Sequence, residues 1–408
     1  MKKKLAVLLL AACMLLSLAA CGGSGSAASA TPAASSDAAA TPAAGEVITI
    51  GTISPNTGSL AAYGAAVTTA VDLAVEQINA DGGINGSQVK IVNADDQFDP
   101  TECLNAFNSL VSQGIGLIVG SVTSGCTSAI TDAANEEQVC LLTPSATADS
   151  ITTADDYVFR ACYADSFQGA IAAAYAKQKG FTDVGVVYCA SDTYSKGLYD
   201  SFNAACTKYG VNVKAVESSA SLDVQDYTNQ FASMAKAGVP FVYAPYYYDV
   251  IGPYIVTQAR AAGYKGIIMG ADGYDGTPDY VAQGADLSAF NDVYWTNHYD
   301  PGDTSEIVQS FVKAYQAKFN STPNAISALA YDAVYMYKQA IEKAGSTDPK
   351  AVRDALADTS AVYTGVTGSF SLDSTGTPTK GASIISFTSD GSKVTTKLVD
   401  VVKELPAA

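Results

Sequence analysis

From about residue 46 onward, apolar positions follow two alternating rhythms. Short β-branched runs such as VITIGTI (47–53), QVKIVNADD (88–96) and IGLIVGS (115–121) have the length and composition of strands. Between and after them, apolar residues recur every three or four positions, which predicts helices over about 60–80, 101–114 and 125–136. The first helix ends in DGGING, a glycine-rich stop. VCLLTP (139–144) reads as the next strand. A second series follows, with helix 166–179 before strand 183–189 and helix 195–209 before strand 211–218. Helix 224–237 then precedes strand 239–245, and helix 249–262 precedes strand 266–271. The last third is less regular, with a helix over about 326–344 and β-hairpin character within 369–399.

Strands alternating with helices specify an α/β fold whose parallel sheet is covered on both faces. Two such series predict two doubly wound lobes. About 360 of the 408 residues follow the N-terminal segment, more than one ordinary core needs. No repeat of 20–50 residues is visible.

The N-terminus belongs to export rather than to the fold. Lys2, Lys3 and Lys4 precede an apolar stretch, Leu5 to Leu16, too short for a comfortable membrane span. LAAC (18–21) then resembles a bacterial lipobox, so residues 1–20 are expected to be a removed signal peptide and Cys21 to carry a lipid. Residues 22–45 contain Gly, Ser, Ala, Thr and Pro with one charge, Asp37, and read as a flexible tether. Its reach as a random coil is roughly 27 Å. The expected location is the outer face of a cell membrane, in a bacterium with a single membrane.

Composition removes several function classes. The formal charge is −17, and −20 once the three leader lysines are gone, so phosphate-based nucleic-acid binding is excluded. His298 is the single histidine, which argues against a His-based metal site or a Ser–His catalytic pair. Beyond Cys13 and Cys21 lie Cys103, Cys126, Cys140, Cys162, Cys189 and Cys206, none in a C-x-x-C pair. In an oxidising compartment at most one or two disulfides are expected, with Cys103 the foremost participant; otherwise these are small buried side chains. Neither a P-loop nor a nucleophile–base pair appears, so no enzyme and no cofactor are expected.

In open α/β sheets a ligand sits beyond the carboxyl ends of the strands. The loops there divide into two chemistries. SVTSGCTSA (121–129) offers Ser121, Thr123, Ser124 and Thr127, and LLTPSATADS (141–150) offers Ser145 and Thr147. Hydroxyls and free backbone N–H groups suit an anion. The second series offers Asp192 and Tyr194 in ASDTYSKG, Tyr246 to Tyr248 in PYYYD, and Asp272 in ADGYDG, a carboxylate and phenols that suit a cation. Tyr63, after the first strand, faces the same end. A molecule with one anionic and one cationic end bridges the two sets, as a free α-amino acid does. Taken singly, each feature also has a plain reading as helix cap, packing or turn.

TGSLAAYG, INADGGINGSQVKIVNADDQFDP, GLIVGSVTSGCTSA, LLTPSAT, VFRACYADSFQG, ASDTYSKG, FVYAPYYYD and QARAAGYKGIIMGADG stand in an order that resembles periplasmic binding proteins of the leucine/isoleucine/valine type. The resemblance covers about residues 47–390. It implies a type I binding-protein fold whose two lobes, joined by three crossovers, close on ligand. Lobe one is expected at 46–165 and 295–379, and lobe two at 166–294 and 380–403. It implies a monomer that captures an apolar amino acid for the permease of an ABC importer. By position, Ser124 and Thr147 are implied donors to the ligand carboxylate, with main-chain contacts at Val122 and Ser145. Tyr194, Tyr247 and Asp272 are implied to surround the ammonium, and Tyr63 to lie on the ligand side chain. Two departures bear on specificity: Asp272 stands where the family often has Glu, and APYYYD replaces a more glycine-rich stretch. The alternatives are a ligand sensor for a signalling receptor, or a binder of another small polar ligand such as an amide or urea.

Overall fold

The computed structural model describes residues 45–405 and 407. The signal peptide, Cys21 and nearly all of the tether lie outside the described residues. Within them, strands β1 (Ile48–Ser54), β2 (Val89–Asp95), β3 (Leu117–Val119), β4 (Cys140–Thr143) and β5 (Val158–Arg160) form a parallel sheet in the order β2-β1-β3-β4-β5. A second sheet contains β6 (Asp183–Cys189), β7 (Asn212–Ser219), β8 (Phe241–Tyr243), β9 (Ile267–Gly270) and β10 (Val293–Asn297). After a small hairpin, β11 (Tyr363–Gly365) and β12 (Gly368–Phe370), the chain adds β13 (Ala382–Ser389) and β14 (Val394–Val402) to that sheet. Its order is β14-β13-β10-β9-β8-β6-β7, with β13 and β14 antiparallel to their neighbours.

This is the expected α/β fold with two sheets, and the expected strands and helices are present within a few residues of their predicted ends. Five strands and α-helices escaped the sequence reading: β5, β10, β11 and the helices Glu306–Phe319 and Pro349–Leu356. Residues 295–297, expected in the first lobe, pair with β9 and β13 in the second sheet. The helix expected over 125–136 is broken into Ser124–Ser128 and Thr131–Glu136. The one expected over 249–262 passes through a π-turn at Ile251–Ile255, where Pro253 brings no N–H to the helical ladder. The six described cysteines are buried free thiols, so the expected disulfides are not formed.

Local chemistry explains how the sheets present their loops. Asp99 caps the helix Pro100–Ser112 by accepting from the N–H groups of Thr101 and Glu102. Asp192 caps Thr193–Tyr209 through Ser195 N at 2.8 Å, which aims Tyr194 at the carboxyl ends of the second sheet. Gly64 follows Tyr63 on the helix Ala61–Ala80. A Cβ there would lie 2.1 Å from the Pro55 carbonyl oxygen, so only glycine lets this helix approach the β1 exit loop.

The long helix Ala325–Ala344 returns to the first sheet. The Tyr337 hydroxyl lies 2.9 Å from the carbonyl oxygen of Ile118 and 2.7 Å from that of Cys140, so its one proton serves two strand carbonyls in a dry core. Tyr337→Phe is expected to cost about 1–2 kcal/mol by leaving that proton's acceptors short. Urea unfolding should show a lower midpoint with an unchanged slope; an unchanged midpoint removes this anchor from the account.

Candidate functional site

The loops beyond the carboxyl ends of both sheets converge on one small void. Tyr63, Val122, Thr123, Ser124, Ser145, Tyr194, Tyr247, Asp272, Gly273 and Ile326 line it. Its volume is about 10 Å³, room for roughly one water molecule. Seven of the eight ligand-site residues expected from sequence therefore meet on one surface. Thr147 is the exception. It is buried next to the void rather than on its wall.

On the first-sheet side, the hydroxyl-rich loops are stitched to each other. Thr143 Oγ1 donates to the Ser121 carbonyl at 2.5 Å and accepts from Ala146 N at 3.0 Å. Ser145 Oγ donates to the Val122 carbonyl at 2.8 Å. The Ser145 hydroxyl proton is thus used inside the protein. Ser124 Oγ accepts from Ala148 N at 3.2 Å, which leaves its proton free to donate. The Thr123 hydroxyl is buried without a hydrogen-bond partner, whereas the Thr147 hydroxyl sits against the buried Asp165 carboxylate. The Thr147 carbonyl accepts from Asp165 N at 2.8 Å and from buried Arg160 Nη1 at 2.9 Å, so its backbone is held firmly. Proton donors without acceptors gathered in a dry wall form a seat for an anion.

The second-sheet side is built around Asp272, which is 4% exposed. Its Oδ1 accepts from Tyr194 Oη at 2.7 Å and from Gln168 Nε2 at 3.0 Å. Its Oδ2 lies 3.1 Å from His298 Nε2. Gln168 is in turn fixed by Thr296 Oγ1 at 2.7 Å and accepts from Asp272 N at 3.1 Å. Tyr194 Oη also accepts from Gly273 N at 2.7 Å. Among the described residues, Asp272 forms no ion pair with Lys or Arg. Its one basic neighbour is His298, whose imidazole is driven down to about 4 by burial, against the upward pull of Asp272 itself. A buried carboxylate held by neutral donors is short of a cation.

Tyrosines complete the wall. Tyr194 and Tyr247 stack with ring centroids 4.8 Å apart, and Phe98 meets Tyr247 edge-on at 5.6 Å. Of the three consecutive tyrosines, Tyr247 alone reaches the void. Tyr246 bonds Ser219 at 3.0 Å, and Tyr248 reaches across to the Ser59 carbonyl at 3.3 Å. Tyr63 Oη donates to the Gly273 carbonyl at 2.9 Å, and Asp275 Oδ2 accepts from Ala325 N at 2.6 Å. These contacts join loops of the two sheets, so the cleft is shut.

Gln168, His298 and Ile326 belong to this neighbourhood and were not anticipated. Gln168 sits inside VFRACYADSFQG, whose helix was expected but not its inward face. His298 follows β10, a strand that VYWTN could have signalled by its β-branched and aromatic residues. Asp192, offered earlier as a cation ligand, is a helix cap.

Comparison with known proteins gives a consistent picture. A profile of the periplasmic binding protein family matches residues 47–392. The chain is 33% identical over 332 residues to the Leu/Ile/Val-binding protein homolog 3 of Brucella melitensis, covering 81% of this chain and 88% of that one. It is 31% identical to the leucine-, isoleucine-, valine-, threonine- and alanine-binding protein of Pseudomonas aeruginosa, covering 77% and 83%. Among solved structures, the branched-chain amino acid transporter substrate-binding protein LivJ of Streptococcus pneumoniae, in complex with isoleucine, superposes with a TM-score of 0.78. The identity is 32%, over 87% of this chain and 99% of that one.

A second carboxyl group makes the closed cleft sensitive to pH. Burial pushes Asp249 up to about 6, against the lowering effect of hydrogen bonds from its own backbone and from Ser59 across the cleft. Its Oδ1 has no partner. Because the folded value exceeds the unfolded one, near 3.9, the unfolded chain ionises first. The penalty for the folded state therefore grows as pH rises from about 4 to 6 and persists above. Asp249→Asn removes it and is expected to stabilise the protein by about 1–2 kcal/mol at pH 7, with no gain at pH 4. Urea titrations at both values test this; an equal effect at both assigns the change to something other than ionisation.

Proposed function

The chain belongs to the periplasmic binding protein family, and on that premise we propose that it captures a free, apolar α-amino acid and hands it to the permease of an ABC importer. The observation that carries this reading is Asp272, a buried carboxylate with only neutral donors, facing hydroxyls that lack acceptors. An ammonium supplies the missing cation, and the ligand carboxylate supplies the missing acceptor for Ser124 and Thr123, with Thr147 reached only if the cleft rearranges around the ligand. The Ser145 main chain completes the anion side, and the Val122 N–H, which donates to Ser121 Oγ at 2.6 Å in the closed cleft, joins it by exchanging that acceptor for the ligand carboxylate. Tyr63, Tyr247, Val122 and Ile326 offer an apolar wall to the ligand side chain. The names of the relatives, and the isoleucine held by the Streptococcus pneumoniae protein, support a branched-chain ligand. The family's members are binding proteins rather than enzymes, and this site holds no nucleophile–base pair.

Entry of an amino acid requires the cleft to open, because the void admits about one water. Crossovers between the sheets serve as the hinge. On this reading the contacts of Tyr63, Tyr248 and Asp275 break in the open state and form again around the ligand. The lobes run to about residue 165 and again through the helices after β10, with the remainder in the second lobe.

Asp272→Asn keeps the shape and removes the charge. Truncating one partner of a buried charge pair costs about 2–5 kcal/mol, a loss of roughly 30- to several-thousand-fold in affinity. Calorimetric titration with the best ligand from a thermal-shift screen of all amino acids measures it. A Kd within about threefold of the parent takes Asp272, and the amino-acid reading, out of the site.

The family is extracytoplasmic, and a lipid on Cys21 is the proposed means of holding the domain at the membrane. No helix among the described residues is long and apolar enough to cross a membrane. Cys21→Ala, expressed in the native cell, is expected to be released or left as uncleaved precursor. Retention of a processed, membrane-bound form by this variant overturns the anchor.

A further inference from the structure

We propose that His298 is the positioning residue of the cation seat: it fixes the Asp272 carboxylate with a hydrogen bond while leaving its charge unspent. The proposal rests on the reading of Asp272 as the ammonium partner. It concerns a residue that composition alone had set aside, because a single histidine builds neither a metal site nor a catalytic pair.

The geometry is specific. The His298 side chain is fully buried, and that of Asp272 is 5% exposed. The imidazole stacks on Tyr163 with centroids 3.6 Å apart and planes 28° from parallel. Its backbone N–H donates to Asn297 Oδ1 at 3.0 Å. Nε2 lies 3.1 Å from Asp272 Oδ2, whereas Nδ1 has no partner. The hydrogen-bond network therefore assigns the proton to Nε2, as donor to the carboxylate. An imidazolium would also need an acceptor at Nδ1, and none is there. The charged and titratable groups acting on the ring are Asp272, which favours a proton, and Lys380, which opposes it; Tyr163 covers one face.

The consequence is a count of acceptor positions. A carboxylate offers about four. Tyr194 and Gln168 occupy two on Oδ1, and His298 occupies one on Oδ2. The free position is on Oδ2, so His298 determines which oxygen, and in which direction, the ligand ammonium meets. A Lys or Arg at this place would fill the same position and neutralise the seat. A neutral imidazole orients it and leaves the attraction for the ligand. Proton uptake by His298 in acid turns the imidazole into such a competitor.

The test is calorimetric titration with isoleucine of the parent and of His298→Gln, His298→Leu and His298→Asn, each checked by circular dichroism. The Gln amide can take the place of Nε2 as a neutral donor, so its Kd at pH 7 should stay within about threefold. Leu lacks a donor and Asn is too short to reach, so both should weaken binding about tenfold or more. Either one suffices if the other does not fold. Between pH 6 and pH 4 the affinity of the parent should fall more steeply than that of His298→Gln, which has no proton to accept there. A purely structural role for His298 lowers thermal stability but leaves Kd and its pH profile unmoved. The proposal is overturned if Leu and Asn bind within threefold of the parent, if Gln loses as much as they do, or if the two pH profiles superimpose. Failure of Asp272→Asn to weaken binding removes the site itself, an outcome separate from these.

Discussion

A negative charge kept out of water without a positive partner is the constraint around which the cleft is organised. Taking a carboxylate into a dry interior is expensive, and the usual compensation is a salt bridge. Asp272 instead receives a phenol, an amide and an imidazole. Neutral dipoles lower the cost of burial and hold the carboxylate in one orientation. They do not cancel its charge, so an arriving cation has something to gain. Pairing Asp272 with an arginine would make the empty protein more comfortable and the site useless.

The rest of the fold supplies these donors from distant places. Tyr194 comes from a helix capped by Asp192, Gln168 from the helix after the first crossover, and His298 from the end of β10. Parallel sheets make this possible, because every strand delivers its following loop to the same edge. Order around the crossovers comes from one buried and one half-buried cation used in an unusual way. Arg160 bonds the carbonyl of Thr147 and the hydroxyl of Thr152, and Lys380 bonds the carbonyl of Ala161 and the hydroxyl of Thr367. Burial lowers Lys380 to about 8. These cations fasten backbone near the crossovers and form no ion pair with Asp272, in keeping with its unspent charge.

The opposing wall applies the same economy to hydroxyls. Thr143 and Ser145 commit their protons to carbonyls and tie the two loops into one rigid surface. Ser124 keeps its proton free, and Thr123 remains unpartnered. An anion seat of this kind resists ligands that lack an acceptor, since its donors then stay unsatisfied at a cost of about 1–3 kcal/mol each. Selectivity for the head group and for the side chain are therefore separate matters. On the proposed reading, the first depends on Asp272 and the hydroxyls, the second on Tyr63, Tyr247, Val122 and Ile326.

Much of this was legible in the residues alone. The β-branched runs alternating with amphipathic stretches determined an α/β architecture, and the rule that loops gather at carboxyl ends brought Ser124, Ser145, Tyr194, Asp272 and Tyr63 to one place; Val122, and Tyr247 among its three neighbours, were implied only by the family resemblance. Polarity identified one wall as hydroxyl-rich and the other as acidic. Tertiary structure decided what each polar atom does. Ser145 and Thr147 look equivalent in TPSAT, yet one lines the void with its proton committed to the Val122 carbonyl and the other is buried behind it against Asp165. Asp192 and Asp272 look equivalent as acids after strands, yet one caps a helix and the other is stranded in a dry cleft. His298 lies 26 residues from Asp272 in sequence, and their contact is made by two parallel strands placed side by side. Periodicity reports which face of an element is buried, because burial repeats along the chain. Hydrogen-bond partners between loops do not repeat, so they follow only from where the sheets put them.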